Sequence, residues 1–336
     1  MDGILVVDKP VGPTSHDIVA LVRRLSATRR IGHGGTLDPF AGGVLPLFLG
    51  RATRLAEYHL GRPKAYRATV CFGASSSTDD LDGERTPVPG PPVAREALEA
   101  ALERFRGRIE QVPPDYSAVQ VEGRRAYAIA RSGETPALAA RTVTIERLDL
   151  VEWDAADPER PIAVLDVACS AGTYVRALAR DLGAALGSGA YLGALTRTAS
   201  GGFTAADALQ LADVRAAAAD GPDGLLPLLR PIDTGLEDWP LVVLTDAEVE
   251  DVVRGRFVRP ADPAARPVEG PVRLRDGRGR LVALAAWHGP RIAPTKVLVD
   301  VPAPPPVQAL EAPAAAPETP APAPDPAPLA EDPVDA

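Results

Sequence analysis

The sequence predicts an α+β fold with a small β-rich C-terminal module and a disordered tail, on three observations. Apolar runs of strand length, among them Ile4-Leu5-Val6-Val7 and Val44-Leu45-Pro46-Leu47-Phe48-Leu49, recur through most of the 336-residue chain with segments of helical spacing between them. From about Trp239 to Val299 the pattern changes to short strands, with turns at Asp276-Gly277 and Arg280. The last 36 residues hold twelve of the chain's 36 prolines and almost no large apolar side chains, a composition that cannot bury enough surface to offset ordering. The expected divisions are therefore residues 1–235, 238–300 and 301–336.

In chain order, Ile4 to Val7 is a strand that runs into Asp8-Lys9-Pro10 and a turn at Gly12-Pro13. Thr14 or Ser15 then caps a helix whose apolar residues Ile18, Leu21, Val22 and Leu25 recur at helical spacing. Residues 52–60 read as a short amphipathic helix, 68–72 as a strand and 75–83 as a polar loop. Leu98, Leu102 and Phe105 give a helix over 96–105, ended by Gly107. Two alternating strands follow over 141–150 and 161–169, then a helix capped by Thr173 that turns Leu178 and Leu182 inward, then a core strand over 190–197.

Charge is segregated along this chain. The net charge is −9, but the tail carries six acids and no Lys or Arg; removing them from the 45 acids leaves 39 against 36 basic residues, a balance of −3. The first 67 residues hold ten Lys and Arg against five acids. A basic N-terminal share suits an anionic partner. Cys71 and Cys169 each lie in an apolar run, which favours buried thiols over a disulfide or metal site. Asp80 and Asp82 lack a third ligand and a nearby histidine, so no metal is expected. No signal sequence and no apolar run long enough to cross a bilayer is present, and a cytoplasmic protein is expected.

Residues 31–55 carry the most chemical information. Gly32, Gly34, Gly35, Gly42 and Gly43 surround Leu37-Asp38-Pro39. Glycines allow tight bends on both sides of the carboxylate, and Pro39 removes the next backbone donor while pushing Asp38 out of helical geometry. Taken as residues alone, this stretch fits a simple turn as well as a rigid loop that aims one acid.

The stretch G-H-G-G-T-L-D-P-F-A-G-G-V-L-P, followed by Gly50-Arg51-Ala52-Thr53-Arg54, resembles the catalytic motif of the TruB family, the bacterial tRNA pseudouridine-55 synthases. The resemblance extends with gaps over residues 3 to about 235. It implies a catalytic domain on a mixed, mainly antiparallel sheet flanked by helices, with a PUA-like RNA-binding module behind it. The substrate implied is the T-arm of tRNA, gripped by an insertion over about 112–141, and the enzyme needs no cofactor, metal or obligatory protein partner and works as a monomer. Residue by residue, Asp38 takes the catalytic position. Tyr66 of Lys64-Ala65-Tyr66-Arg67 stacks on the target base, and Arg176 of C-S-A-G-T-Y-V-R pairs with Asp38. Tyr174 lies beneath the site, Leu195 packs on the base, and His33 occupies the gap that the flipped base leaves. Lys9 braces the neighbouring core and Asp80 is an acid near the arginine. The chain departs from the pattern at Gln120, where lysine is usual, and at Ser77, where many relatives carry aspartate.

Three other classes compete with that reading. A non-catalytic tRNA-binding or folding protein would keep the grooves and make Asp38 structural. A glycosidase would need two acids flanking the scissile bond and several exposed aromatics, whereas aromatic content is 4%. A guide-RNA-dependent relative shares the G-x-L-D-P core, but the bacterial-type insertion favours a stand-alone enzyme.

Overall fold

A computed structural model describes residues 1–261 and 267–299. The expected disorder of the tail falls outside the described residues. Residues 1–299 form one compact unit.

Its centre is a ten-stranded mixed sheet. The main path runs Leu209–Gln210, Gly3–Lys9, Ala41–Leu49, Ala190–Ser200, Lys64–Phe72, Ile162–Cys169, Arg141–Asp154 and Gly107–Gln111. Neighbours on that path are antiparallel except at two joints, Leu209–Gln210 with Gly3–Lys9 and Ala41–Leu49 with Ala190–Ser200. The second joint fuses two antiparallel halves and pairs Leu195 with Ala41 and Arg197 with Gly43. Gly43 is required there. Its φ is +100° and a Cβ would stand 2.3 Å from the Arg197 carbonyl oxygen.

Both faces of this sheet are covered. Helix Val175–Ala185 inserts Leu178 and Leu182, and helix Arg95–Phe105 inserts Leu98 and Leu102, against Val70, Phe72 and Leu165. Helix Ser15–Leu25 packs Ile18 and Val22 on Leu5, Leu45 and Leu47. Thr14 caps that helix and Asp17 returns the bond, a capping box that fixes its start beside the glycine-rich loop. The opposite face of the first strands buries Ile4, Val6, Val44 and Phe48 against Phe203.

Several local expectations are corrected. Residues 52–60 are not one α-helix: Gly50–Leu55 is a 3₁₀ turn and only Ala56–Leu60 is α-helical. The polar stretch after 74 is partly a hairpin, Ala74–Ser76 paired with Arg85–Pro87. Thr173 does not cap the helix after Cys169; its hydroxyl donates to Ser170 O at 3.0 Å, and Tyr174 holds the cap position with no side-chain cap bond of its own. The C-terminal module is a four-stranded sheet in the order Leu241–Leu244, Pro271–Asp276, Leu281–His288, Arg291–Val297, but it also carries helix Asp246–Val253. A Thr245/Glu248 capping box starts that helix. The module docks through Leu281, Leu284 and Leu298 on Leu55 and Leu236.

Candidate active site

The loop between Ile31–His33 and Ala41–Leu49 is fixed from below by buried donors. Lys9, fully buried, donates to Ala41 O at 2.6 Å, Pro10 O at 2.9 Å and Pro39 O at 3.5 Å. Ser15 Oγ donates to Leu37 O and accepts from Leu37 N at 3.1 and 2.9 Å. Arg197, the largest fully buried side chain, donates to Val44 O at 2.8 Å, Gly35 O at 3.0 Å and Thr36 O at 3.4 Å. Burying a cation is costly unless its protons are all bonded. The carbonyls of a glycine-rich loop supply those acceptors, so the cations and the loop conformation support each other.

Above this floor lies a cavity of about 400 Å³. Asp38, Tyr66, Tyr174, Arg176 and Leu195 all line it, and so do Lys64, Tyr116 and Arg197. Asp38 is the only acid among the lining residues. Its Oδ2 lies 3.1 Å from Arg176 Nε, and 38% of its side-chain surface stays open, against 7% for Arg176. The arginine is held on its remaining protons: Nη1 meets Asp80 Oδ2 at 3.3 Å and donates to Thr78 O at 3.1 Å, while Nη2 donates to Tyr116 O at 3.0 Å. An arginine at a helix start runs against the helix dipole. Here two carboxylates and two carbonyls offset that cost.

Two opposed effects act on Asp38. Burial at the foot of the cleft raises its pKa above the ordinary carboxylate value; Arg176 pulls it back, Asp80 and Asp82 add to the rise, and Lys9 opposes it. The net direction is upward. The Arg176 pair therefore orients the carboxylate and limits its protonation without making it an unusually strong acid.

Tyr66, half-buried at the second residue after the start of its strand, has a hydroxyl pKa raised chiefly by burial, and the hydroxyl lies within hydrogen-bonding reach of Arg197. Lys64 spends its three protons on Leu60 O and Arg62 O at 2.6 Å and His59 O at 3.3 Å, and burial lowers its pKa to about 8. Gln111 clamps Tyr174 from both sides, its Oε1 accepting from Tyr174 N at 2.8 Å and its Nε2 donating to Tyr174 O at 3.1 Å.

His33 stands apart from the other predicted residues. It does not line the cavity. Its Nδ1 accepts from Gly35 N at 3.3 Å and its ring meets His16 edge-on at 5.5 Å, while burial, with smaller effects from His16 and Arg197, lowers its pKa. Gln120 sits exposed in a two-stranded hairpin with Arg124 and Arg125; Arg124 faces Glu134 at 3.4 Å and Arg125 donates to Ala118 O at 2.5 Å. Ser77 accepts from Glu84 N at 3.0 Å, closing the hairpin turn.

Arg197, Lys64, Tyr116 and Gln111 are site residues that sequence reasoning missed. Lys64 had a signal in the K-x-Y-R spacing and Tyr116 in Pro114-Asp115-Tyr116-Ser117-Ala118, which is similar to the family's P-x-Y-S-A segment, whereas Thr196-Arg197-Thr198 reads as an alternating strand edge. Among the described residues no group of three or more His, Cys, Asp or Glu could hold a metal ion.

Two family models match this chain. Residues 23–175 match the N-terminal domain of TruB family pseudouridylate synthases, and residues 176–237 match the C-terminal domain of tRNA pseudouridylate synthase B. The chain is 42% identical over 300 residues to the tRNA pseudouridine synthase B of Pseudomonas paraeruginosa, covering 89% of this chain and 96% of that one. It is 44% identical over 299 residues to the Synechococcus protein of the same name, covering 88% and 98%. Among solved structures it resembles a chain of the archaeal box H/ACA sRNP Nop10-Cbf5 complex, with a TM-score of 0.66, 26% identity and coverage of 89% and 87%.

Proposed function

The chain belongs to the TruB family of pseudouridylate synthases, which are isomerases, and from that premise we propose that it converts uridine 55 in the T-loop of tRNA to pseudouridine, with Asp38 as the catalytic carboxylate. The observation that carries this reading is a single acid, Asp38, lining a cavity whose other walls are Tyr66, Leu195 and the Asp38-bound Arg176.

The reaction breaks the bond from ribose C1′ to uracil N1, turns the base, joins C1′ to C5, releases the C5 hydrogen as a proton and puts a proton on N1. Atoms and electrons balance within the nucleotide, so the chain has to supply a carboxylate, a place for the base to turn and exclusion of water. Asp38 is the carboxylate. Arg176 keeps it oriented, with Nε 3.1 Å from Oδ2. Tyr66 and Leu195 give the detached uracil an aromatic and an aliphatic wall, and Tyr174 closes the floor.

A uridine in a folded loop reaches the cavity only when flipped from its stack, at a cost of a few kcal/mol. Stacking on Tyr66 offsets part of that cost. His33, outside the cavity at the end of the strand leading into the loop, is the side chain assigned to the vacated space. The module over 238–299 and the excursion over 112–141 supply further RNA contacts. The chain acts without a guide RNA, a reading supported by its greater identity to the tRNA enzymes than to the H/ACA protein.

The position is tested with unmodified tRNA transcripts incubated with purified chain, followed by mapping of pseudouridine. The expected product carries one pseudouridine at position 55, and a transcript with cytidine there stays unmodified. Modification elsewhere with position 55 untouched would refute the assignment.

A further inference from the structure

One turn after Arg176, on the same face of helix Val175–Ala185, stands a second arginine, Arg180. The two repeat one pattern. Arg176 meets Asp80 and donates to Tyr116 O. Arg180 meets the preceding acid, Asp79, through Nη1 at 2.9 Å and donates through Nη2 to Val112 O at 2.7 Å, while its Nε reaches Asp181 at 2.9 Å. Arginines four residues apart thus bind two adjacent acids of one loop and two carbonyls four residues apart. Asp38 pairs with the first of them, and the chemistry described above makes no use of the second.

Both partners of Arg180 are tied to the site. Asp79 has φ +61°, in the left-handed region that a residue with a side chain enters at a cost. Only 15% of its side-chain surface is open; burial raises its pKa, and Arg180 is the strongest influence against that rise. Its carbonyl accepts from Leu192 N at 3.0 Å and Asp80 pairs with Leu192 in an isolated bridge, so this twisted residue fastens the loop to the strand that carries Leu195. On the other side, exposed Val112 is followed by buried Pro113 and Pro114. Prolines fix φ and stiffen the path to Tyr116, so a carbonyl held at Val112 limits where the Tyr116 carbonyl can stand.

We propose that Arg180 is a positioning residue for the reaction: by holding Asp79 and the Val112 carbonyl it keeps Asp80 and the Tyr116 carbonyl on Arg176, and Arg176 in turn keeps Asp38 in its working orientation. Arg180 does not line the cavity, so it acts through Arg176. The proposal rests on the assignment of Asp38 above.

The test uses three variants of the full chain: Arg180→Met, Asp79→Asn, and the two together. Asparagine tolerates the left-handed conformation, so Asp79→Asn breaks the ion pair with little disturbance, and the double variant leaves neither charge without its partner. Single-turnover rates on tRNA fall roughly tenfold in each variant, as expected when a reacting group is held less precisely, while tRNA affinity is unchanged. The double variant is no slower than Arg180→Met, because both substitutions open the same link. A second readout needs no activity. NMR of chain carrying isotope-labelled arginine follows exchange of the Arg176 Nε proton with water, which quickens roughly tenfold in the variants as the local structure opens, while the amides of buried Leu165 and Val167 in the central sheet exchange as in the wild type. Wild-type rates in the folded variants, or exchange that quickens as much at Leu165 and Val167 as at Arg176, would overturn the proposal. An inactive wild type with the Arg176 exchange difference intact would instead refute the catalytic reading and leave this link standing.

Discussion

The cleft and the C-terminal module both bury arginine against aspartate, and they differ in what is left over. Just before the module, Asp233 is 2% exposed and takes the module's Arg273 at 3.1 Å and Arg275 at 2.7 Å, while within it Asp276 accepts from Arg280 and from the backbone of its own turn. Both of these acids are closed by partners. In the cleft, Arg176 is saturated by Asp38, Asp80 and two carbonyls, but Asp38 keeps one face open to a cavity. Lys9, Lys64 and Arg197 beside it are answered by backbone carbonyls. A buried ion pair holds structure when both members are satisfied and becomes available for chemistry when one member is not.

Substitutions sharpen that contrast. The largest effect is expected for Arg176→Met, which leaves Asp80 buried without its cation and frees Asp38 to turn: pseudouridine formation falls by about 10³-fold or more, and the protein also loses stability. Rates from single-turnover assays and melts by circular dichroism check both. Asp233→Asn is the counterpart in the closed region. It strands two arginines and costs about 3–5 kcal/mol of stability, yet the rate measured below its melting temperature stays at the wild-type value. A fall in rate with stability unchanged would erase the distinction between the two regions.

A smaller effect tests a third buried group. His59 is 2% exposed, lies between Phe48 and Phe203, and neither ring nitrogen has a hydrogen-bond partner. Burial, aided by Arg62, lowers its pKa from 6.5 to about 4, Glu237 opposing. The unfolded chain therefore binds a proton that the folded chain does not as pH falls from about 6.5 to 4, and stability declines across that window. The total is about 3 kcal/mol. Urea denaturation at several pH values should show the decline in the wild type and a flatter profile in His59→Leu. Arg197→Lys gives the smallest change: it keeps the charge but loses the fork across Gly35, Thr36 and Val44, so kcat falls roughly tenfold while RNA affinity holds. A drop in affinity with kcat intact would assign Arg197 to binding.

How much of this was legible in the sequence depends on the range of the interaction. The helix start at Thr14, the buried Val44–Leu49 run and the strand at Ile162–Cys169 follow from local spacing, and the structure has them. Asp38, Tyr66 and Arg176 were readable because each lies in a long motif, and the fold brings them to one cavity. Arg197 was not, because a lone arginine in a strand reads as exposed until carbonyls 153 to 162 residues away are known to meet it. Gln111 failed for the same reason, its partner Tyr174 being 63 residues distant. The Thr173 cap was a local misreading: its hydroxyl had a nearer acceptor in Ser170 O.

The role of Asp38 is read from tritium release from carbon-5-labelled tRNA by wild type and Asp38→Asn, with RNA affinity and melting temperature measured on the same samples. Because folding raises the Asp38 pKa, its ionised form costs stability at pH values above that raised pKa, and the cost disappears as pH falls below the unfolded value. The amide removes that cost. Asp38→Asn is therefore expected to release no tritium while binding tRNA as the wild type does and melting no lower at neutral pH; release at the wild-type rate by a folded, RNA-binding Asp38→Asn protein would contradict the account.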